Sequence, residues 1–141
     1  MEKRPQLSYS VKKINRETAI KTANQWIMEW GKVPIRTGMY GNIALALLDE
    51  NKQMVYLGFI WESPTEMAMI GFITRNKNIR VTDKSIRRRF IEELILHVKK
   101  LGYRYVASWV ADAGLKKDLR DIGCTETSNS VSEFFAEIKT E

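Results

Sequence analysis

Apolar and polar positions along the chain follow two periods in a fixed order. Ser8-Tyr9-Ser10-Val11-Lys12-Lys13-Ile14 alternates enough to predict a short first strand, and Asn15 then stands where a helix N-cap is needed. Ala19, Ile20, Ala23, Ile27 and Trp30 recur at helical spacing until Gly31 and Pro34 stop the helix. Arg36-Thr37-Gly38-Met39-Tyr40-Gly41 carries two glycines and predicts a loop. Three strand-like runs follow, Asn42 to Leu48, Met54 to Trp61 and Met67 to Thr74. The polar turn segments between them, Asp49-Glu50-Asn51-Lys52 and Glu62-Ser63-Pro64-Thr65, are short enough to impose an antiparallel meander.

The period then returns to helical. Ile86, Phe90, Ile91, Leu94, Ile95, Val98 and Leu101 form one apolar stripe, with Gly102 placed as a C′ glycine. Tyr103 to Val110 predicts a strand, Leu115 to Ile122 a short helix closed by Gly123, and Val131 to Ile138 a last strand. The elements are mixed without strict alternation, which disfavours a doubly wound parallel sheet. They predict a single α+β domain over residues 1–141, with a mixed, mostly antiparallel central sheet of six or seven strands flanked by helices.

Composition narrows the function. With 44% hydrophobic and 28% charged residues, a chain of 141 residues has the make-up of one folded domain. Its apolar runs are far shorter than the roughly 20 residues that span a bilayer, and no apolar core follows Met1-Glu2-Lys3-Arg4, so a cytoplasmic protein without membrane contact is expected. Cys124 and His97 are the only residues of their types, which excludes an internal disulfide and a cysteine-rich zinc site. A net charge of +6 favours anionic partners: a phosphate-bearing cofactor, an acidic protein surface or, as a lesser expectation, nucleic acid.

The order strand, helix, loop, three-strand meander, long helix, strand, short helix, strand resembles the GNAT superfamily of N-acetyltransferases from Ser8 to Ile138. Leu115-Lys116-Lys117-Asp118-Leu119-Arg120-Asp121-Ile122-Gly123-Cys124 is similar to that family's late helix. Phe72-Ile73-Thr74 with Arg80-Val81-Thr82-Asp83-Lys84-Ser85-Ile86-Arg87-Arg88-Arg89-Phe90 is similar, more narrowly, to small GNAT-like proteins of short-tailed phages, some of them internal virion proteins. The first resemblance implies acetyl-CoA as cofactor and a small-molecule or protein amine as acceptor. The second implies a virion or host-cytoplasm protein that contacts a phage or host protein.

By resemblance the coenzyme A diphosphate is received at the start of the long helix, where backbone N–H groups and the helix dipole favour an anion. The family's glycine-rich signature is altered here. Thr82 stands at its Arg/Gln position, and Ser85 and Arg87 stand at its two glycines. Two readings stay open. Lys84, Arg87, Arg88 and Arg89 replace the glycine cradle with side-chain cations around Thr82, Ser85 and Ile86, or the basic cluster is a solvated helix start that touches an acidic partner. The resemblance further implies that Phe72, Ile73 and Thr74 flank the thioester arm, where a backbone N–H polarises the acyl carbonyl.

For proton transfer the family's late-helix tyrosine falls on Leu119, which cannot donate. The remaining candidates are Ser108 as a donor to the departing thiol, Asp112 as a base or a helix cap, and Glu66, with Glu62 beside it, as a base at the meander turn. Trp26, Trp30, Trp61, Trp109, Tyr103 and Tyr105 are expected in the core or in a cleft wall.

Overall fold

The computed structural model describes residues 9–108 and 113–125. The chain runs β1 (Ser10–Ile14), α1 (Arg16–Glu29), a single 3-10 turn (Thr37–Met39), β2 (Ile43–Leu48), β3 (Met54–Trp61), β4 (Met67–Arg75), α2 (Ser85–Lys100), β5 (Tyr105–Ala107) and α3 (Ala113–Asp121). The sheet order is β1-β2-β3-β4-β5. The first three pairings are antiparallel, and β5 joins β4 in parallel after the α2 crossover. The expected α+β architecture with a mixed sheet is therefore present, but the described residues hold five strands rather than six or seven. The predicted strand Val131 to Ile138 lies outside the described residues, as do Trp109 and Val110 at the end of the predicted fifth strand.

The elements end where backbone chemistry requires. Asn15 Oδ1 accepts the Thr18 N–H at 3.0 Å and caps α1. Gly31, Gly102 and Gly123 follow α1, α2 and α3 with φ of 78°, 97° and 98°, a left-handed turn that costs other residues steric strain.

Both faces of the sheet are covered, and β2 shows how. Its Ile43, Leu45 and Leu47 face α2, while Ala44 and Ala46 face α1, where Ala19 and Ala23 pack among them. Small residues on both sides of that contact let α1 lie close to the sheet. On the other face Phe90, Ile91, Leu94 and Val98 carry α2 onto the sheet, as the stripe predicts, whereas Leu101, expected on the same stripe, is exposed where the helix runs out. A Cβ at Gly58 would come within 2.9 Å of Leu94 Cδ1 and 3.0 Å of Phe90 Cε2, so the bare backbone there lets α2 seat.

Two aromatic residues expected in the core or a cleft wall are exposed. Tyr105 is 57% exposed and Trp30 is 40% exposed. Trp30 donates its indole N–H to the Arg75 carbonyl at 2.9 Å, and the Arg75 guanidinium and Lys77 ammonium lie over its ring. The indole thus serves as a platform that ties α1 to the end of β4 rather than as core. No helix of the described residues is long and apolar enough to cross a membrane.

Candidate active site

The site begins where β4 and β5 part. Their parallel ladder pairs Met67 with Tyr105, Ala68 with Val106 and Met69 with Ala107, and continues no further among the described residues. From Ile70 to Arg75 the strand partner of β4 among the described residues is β3, which leaves a fork beside its outer edge. Ser108 is the first residue past the ladder and stands at the mouth of this fork, half-buried.

Within the fork β4 changes face. Ala68 and Ile70 belong to the core under α2, and strict alternation would send Phe72 the same way. The register with β3 shifts between Leu57 and Phe59, however, and Phe72 takes φ of 51°. Phe72 accordingly packs among the α1-side residues, and Ile73 takes the place under α2. This is a β-bulge, which inserts a residue and re-aims the backbone groups beside it. Thr74 Oγ1 donates back to the Phe72 carbonyl at 3.2 Å across the bulge. Phe72, Ile73 and Thr74 are therefore together at the fork.

A positive φ on a bulky residue needs support from its surroundings. The Phe72 ring meets Tyr40 edge-on at 5.3 Å and Trp61 edge-on at 5.1 Å. Burial pushes the Tyr40 phenol up to about 12, so it is a neutral donor at physiological pH. Gly71, an isolated glycine inside an apolar run, is the one signal in the sequence for a bulge here. Nothing in the sequence links Tyr40 and Trp61 to Phe72.

The start of α2 departs from the sequence expectation. Asp83 Oδ1 accepts both the Ser85 N–H, at 2.9 Å, and the Ser85 hydroxyl, at 2.7 Å, and the Asp83 carbonyl accepts the Ile86 N–H at 3.3 Å. Two of the N–H donors expected to meet an anion are thus already taken by Asp83, Ser85 by its carboxylate and Ile86 by its carbonyl. Ile86 itself is buried in the core. Lys84 and Thr82 are exposed, and Thr82 lines a cavity of about 240 Å³ with Tyr9, Asp49, Glu50, Arg80 and Asp83. Burial, and then the charges of Asp49, Asp83 and Glu50, raise the Tyr9 phenol above its ordinary value. A wall this acidic does not suit a polyanion.

Nor do the arginines share one cleft. Arg87 Nε donates to Asp118 Oδ2 at 2.6 Å, and Arg88 donates to Asp121 Oδ2 at 2.9 Å, so both are pinned to α3. Asp118 is only 5% exposed, and the pair neutralises a carboxylate that would be costly to bury alone. Arg89 turns away to the Tyr9 carbonyl at 3.5 Å. One donor, Arg88 Nε, is buried without a partner among the described residues. A bound coenzyme A would meet Phe72, Ile73 and Thr74 at the fork with its thioester end. At α2 its diphosphate would find Arg88 Nε, buried without a partner among the described residues, and the exposed Lys84, against the Asp83 carboxylate.

The candidate acids and bases divide by position. Glu66 precedes β4, is exposed, and faces Arg104 at 3.7 Å. Strand rise sets it about 20 Å along β4 from Phe72, too far to reach a group in the fork. Glu62 is engaged at the same turn, accepting from Asn42 at 2.8 Å. Leu119 packs against the core beneath α2. Asp112 lies outside the described residues. Burial raises the Cys124 thiol, which disfavours the nucleophilic thiolate. Burial, with help from Lys13 and Lys100, lowers His97, far along α2 from the fork.

No protein-family model and no curated protein sequence matches the chain. Solved structures do. A GNAT-family acetyltransferase of Staphylococcus aureus matches with a TM-score of 0.66 at 11% identity, over 94% of this chain and 95% of that one. Glucosamine-6-phosphate N-acetyltransferase of Arabidopsis thaliana matches with a TM-score of 0.61 at 15% identity, over 92% and 99%. A predicted acetyltransferase of Clostridium acetobutylicum, solved with acetyl-CoA, matches with a TM-score of 0.63 at 12% identity, over 90% and 96%. Likeness at these identities is likeness of fold: the chain has a GNAT-like α+β fold with a mixed sheet.

Proposed function

We propose that this chain is an acyl-CoA-dependent N-acetyltransferase that works at the fork between β4 and β5, with a small-molecule or protein-borne amine as acceptor. The observation that carries the reading is the bulge at Phe72, a strained backbone three residues beyond the last pair of the parallel ladder among the described residues. Acetyl-CoA would supply an activated acyl thioester. Fork backbone between Ile70 and Thr74 would offer an N–H to the oxygen that gains charge as the amine attacks, with no particular side chain required. Holding amine and carbonyl together would supply most of the rate. Ser108, at the mouth of the fork, is assigned as hydrogen-bond donor to the departing sulfur, since Leu119 has no proton to give. Lys84 and Arg88 are assigned to the diphosphate. The test is release of free coenzyme A from acetyl-CoA over a panel of amines, with the acetylated amine identified by mass. Acetylation of any panel member above the uncatalysed rate supports the reading.

A second reading rests on a different observation. Asp83 occupies the start of α2, and α3 neutralises Arg87 and Arg88, an arrangement expected if transfer has been lost and the fold serves to contact a protein. The resemblance to phage internal virion proteins belongs with this reading, and so do a phage or host protein as partner and the virion or host cytoplasm as location. Absence of both binding and transfer with acetyl-CoA would favour it.

A further inference from the structure

We propose that Tyr40 and Trp61 are positioning residues for transfer, acting through Phe72. The proposal rests on the fork as the acyl site. Phe72 would ordinarily refuse φ of 51°, and in extended backbone it would lie with Ala68 and Ile70 under α2. Two edge-on ring contacts, to Tyr40 at 5.3 Å and to Trp61 at 5.1 Å, hold it on the α1 face instead.

Both partners are themselves fixed. Tyr40 donates its hydroxyl to Asn24 Oδ1 at 2.6 Å, and Asn24 also bonds the Ile35 N–H at 2.9 Å and the Ile35 carbonyl at 3.0 Å. Trp61 donates its indole N–H to the Met39 carbonyl at 3.1 Å. The Arg16 guanidinium holds the Gly41, Thr37 and Tyr40 carbonyls at 2.8, 2.9 and 3.0 Å. A Cβ at Gly41 would overlap the Ile60 carbonyl, so the loop is pressed onto β3. Residues 35–41 form a brace that crosses from α1 to the bulge. If the brace loosens, Phe72 and Ile73 exchange faces and the β4 edge at the fork is re-aimed.

The test compares Tyr40→Phe, Tyr40→Leu and Tyr40→Leu with Phe72→Gly, assayed below each variant's melting temperature. Left-handed backbone unsupported by its clasp should cost about tenfold in kcat for Tyr40→Leu, with the acetyl-CoA KM within about twofold. Phe retains the edge contact, so Tyr40→Phe should stay within about twofold of wild type. Glycine adopts positive φ without support, so Phe72→Gly should restore most of the kcat lost in Tyr40→Leu. Phe72→Asn serves as the second variant if the glycine protein does not fold. A Tyr40→Leu defect that neither substitution at position 72 repairs would overturn the clasp. If wild type shows no transfer, the proposed function fails by itself, and urea unfolding judges the clasp. Phe72→Gly should lower the midpoint of wild type yet raise that of Tyr40→Leu, whereas a fall in both backgrounds would overturn it.

Discussion

The fork and the start of α2 are the two ends of one candidate site, and they are built in opposite ways. At the fork the chemistry would reside in backbone: a ladder whose last pair among the described residues is at Met69 and a bulge at Phe72, braced by Tyr40 and Trp61. At α2 it would reside in free N–H groups and basic side chains, and the chain has turned these on itself through Asp83, Asp118 and Asp121. A backbone device tolerates wide changes of side chain, because it asks only for a compatible path. An electrostatic device does not, because one carboxylate at the wrong place fills it. The difference teaches which end of such a site a chain can fill with its own side chains.

The comparison can be broken most severely at the pinned arginine. Arg87→Met should cost about 3 kcal/mol in urea unfolding, since it strands the Asp118 carboxylate in the core. Adding Asp118→Leu should recover most of the loss. If Arg87→Met alone unfolds at the wild-type midpoint, Asp118 is not held by this pair. For the same reason, converting Arg87 and Arg88 together to Glu should unfold the chain, because both new carboxylates would face the acids of α3.

Asp83→Asn sharpens the contrast with a smaller effect. The amide keeps an oxygen for the Ser85 N–H but removes the charge, so acetyl-CoA should bind about threefold to fivefold tighter, the scale of one charge at a helix end. Unchanged affinity in calorimetry would mean that the diphosphate does not meet α2. The pH response of Tyr40 is smaller again. Its pKa is raised by burial from the ordinary 10.0 to about 12, so the neutral phenol is favoured in the fold. Stability from this group is complete below pH 10 and is lost as pH rises toward 12. Tyr40→Phe should flatten that decline in melting temperature; an unaltered slope would place its cause elsewhere. Smallest of all, Glu66→Gln should leave kcat within about twofold, because the turn lies at the far end of β4.

How far the sequence showed all this depends on what encodes each part. The stripe from Ile86 to Val98, the meander turns and the Asn15 cap are local patterns, and they appear in place. The bulge is visible only as Gly71, because a register shift is a property of two strands and Phe72 is a poor residue for positive φ. Arg87 and Arg88 look like free cations in a linear sequence, since the acids that bind them lie some thirty residues away on α3. Trp30 and Tyr105 look like core because periodicity does not reveal which strand or helix end meets solvent. Glu66 looks available as a base in the linear sequence, and only the strand direction shows how distant it is from the fork.

The most direct measurement is a calorimetric titration of the whole chain with acetyl-CoA, beside one with adenosine 3′,5′-bisphosphate, which carries the nucleotide end alone. Binding governed by the fork should give acetyl-CoA a Kd of roughly 1–100 μM, with the bisphosphate at least about tenfold weaker. No heat from acetyl-CoA at millimolar concentration, or equal affinity for the two ligands, would contradict an acyl site between β4 and β5.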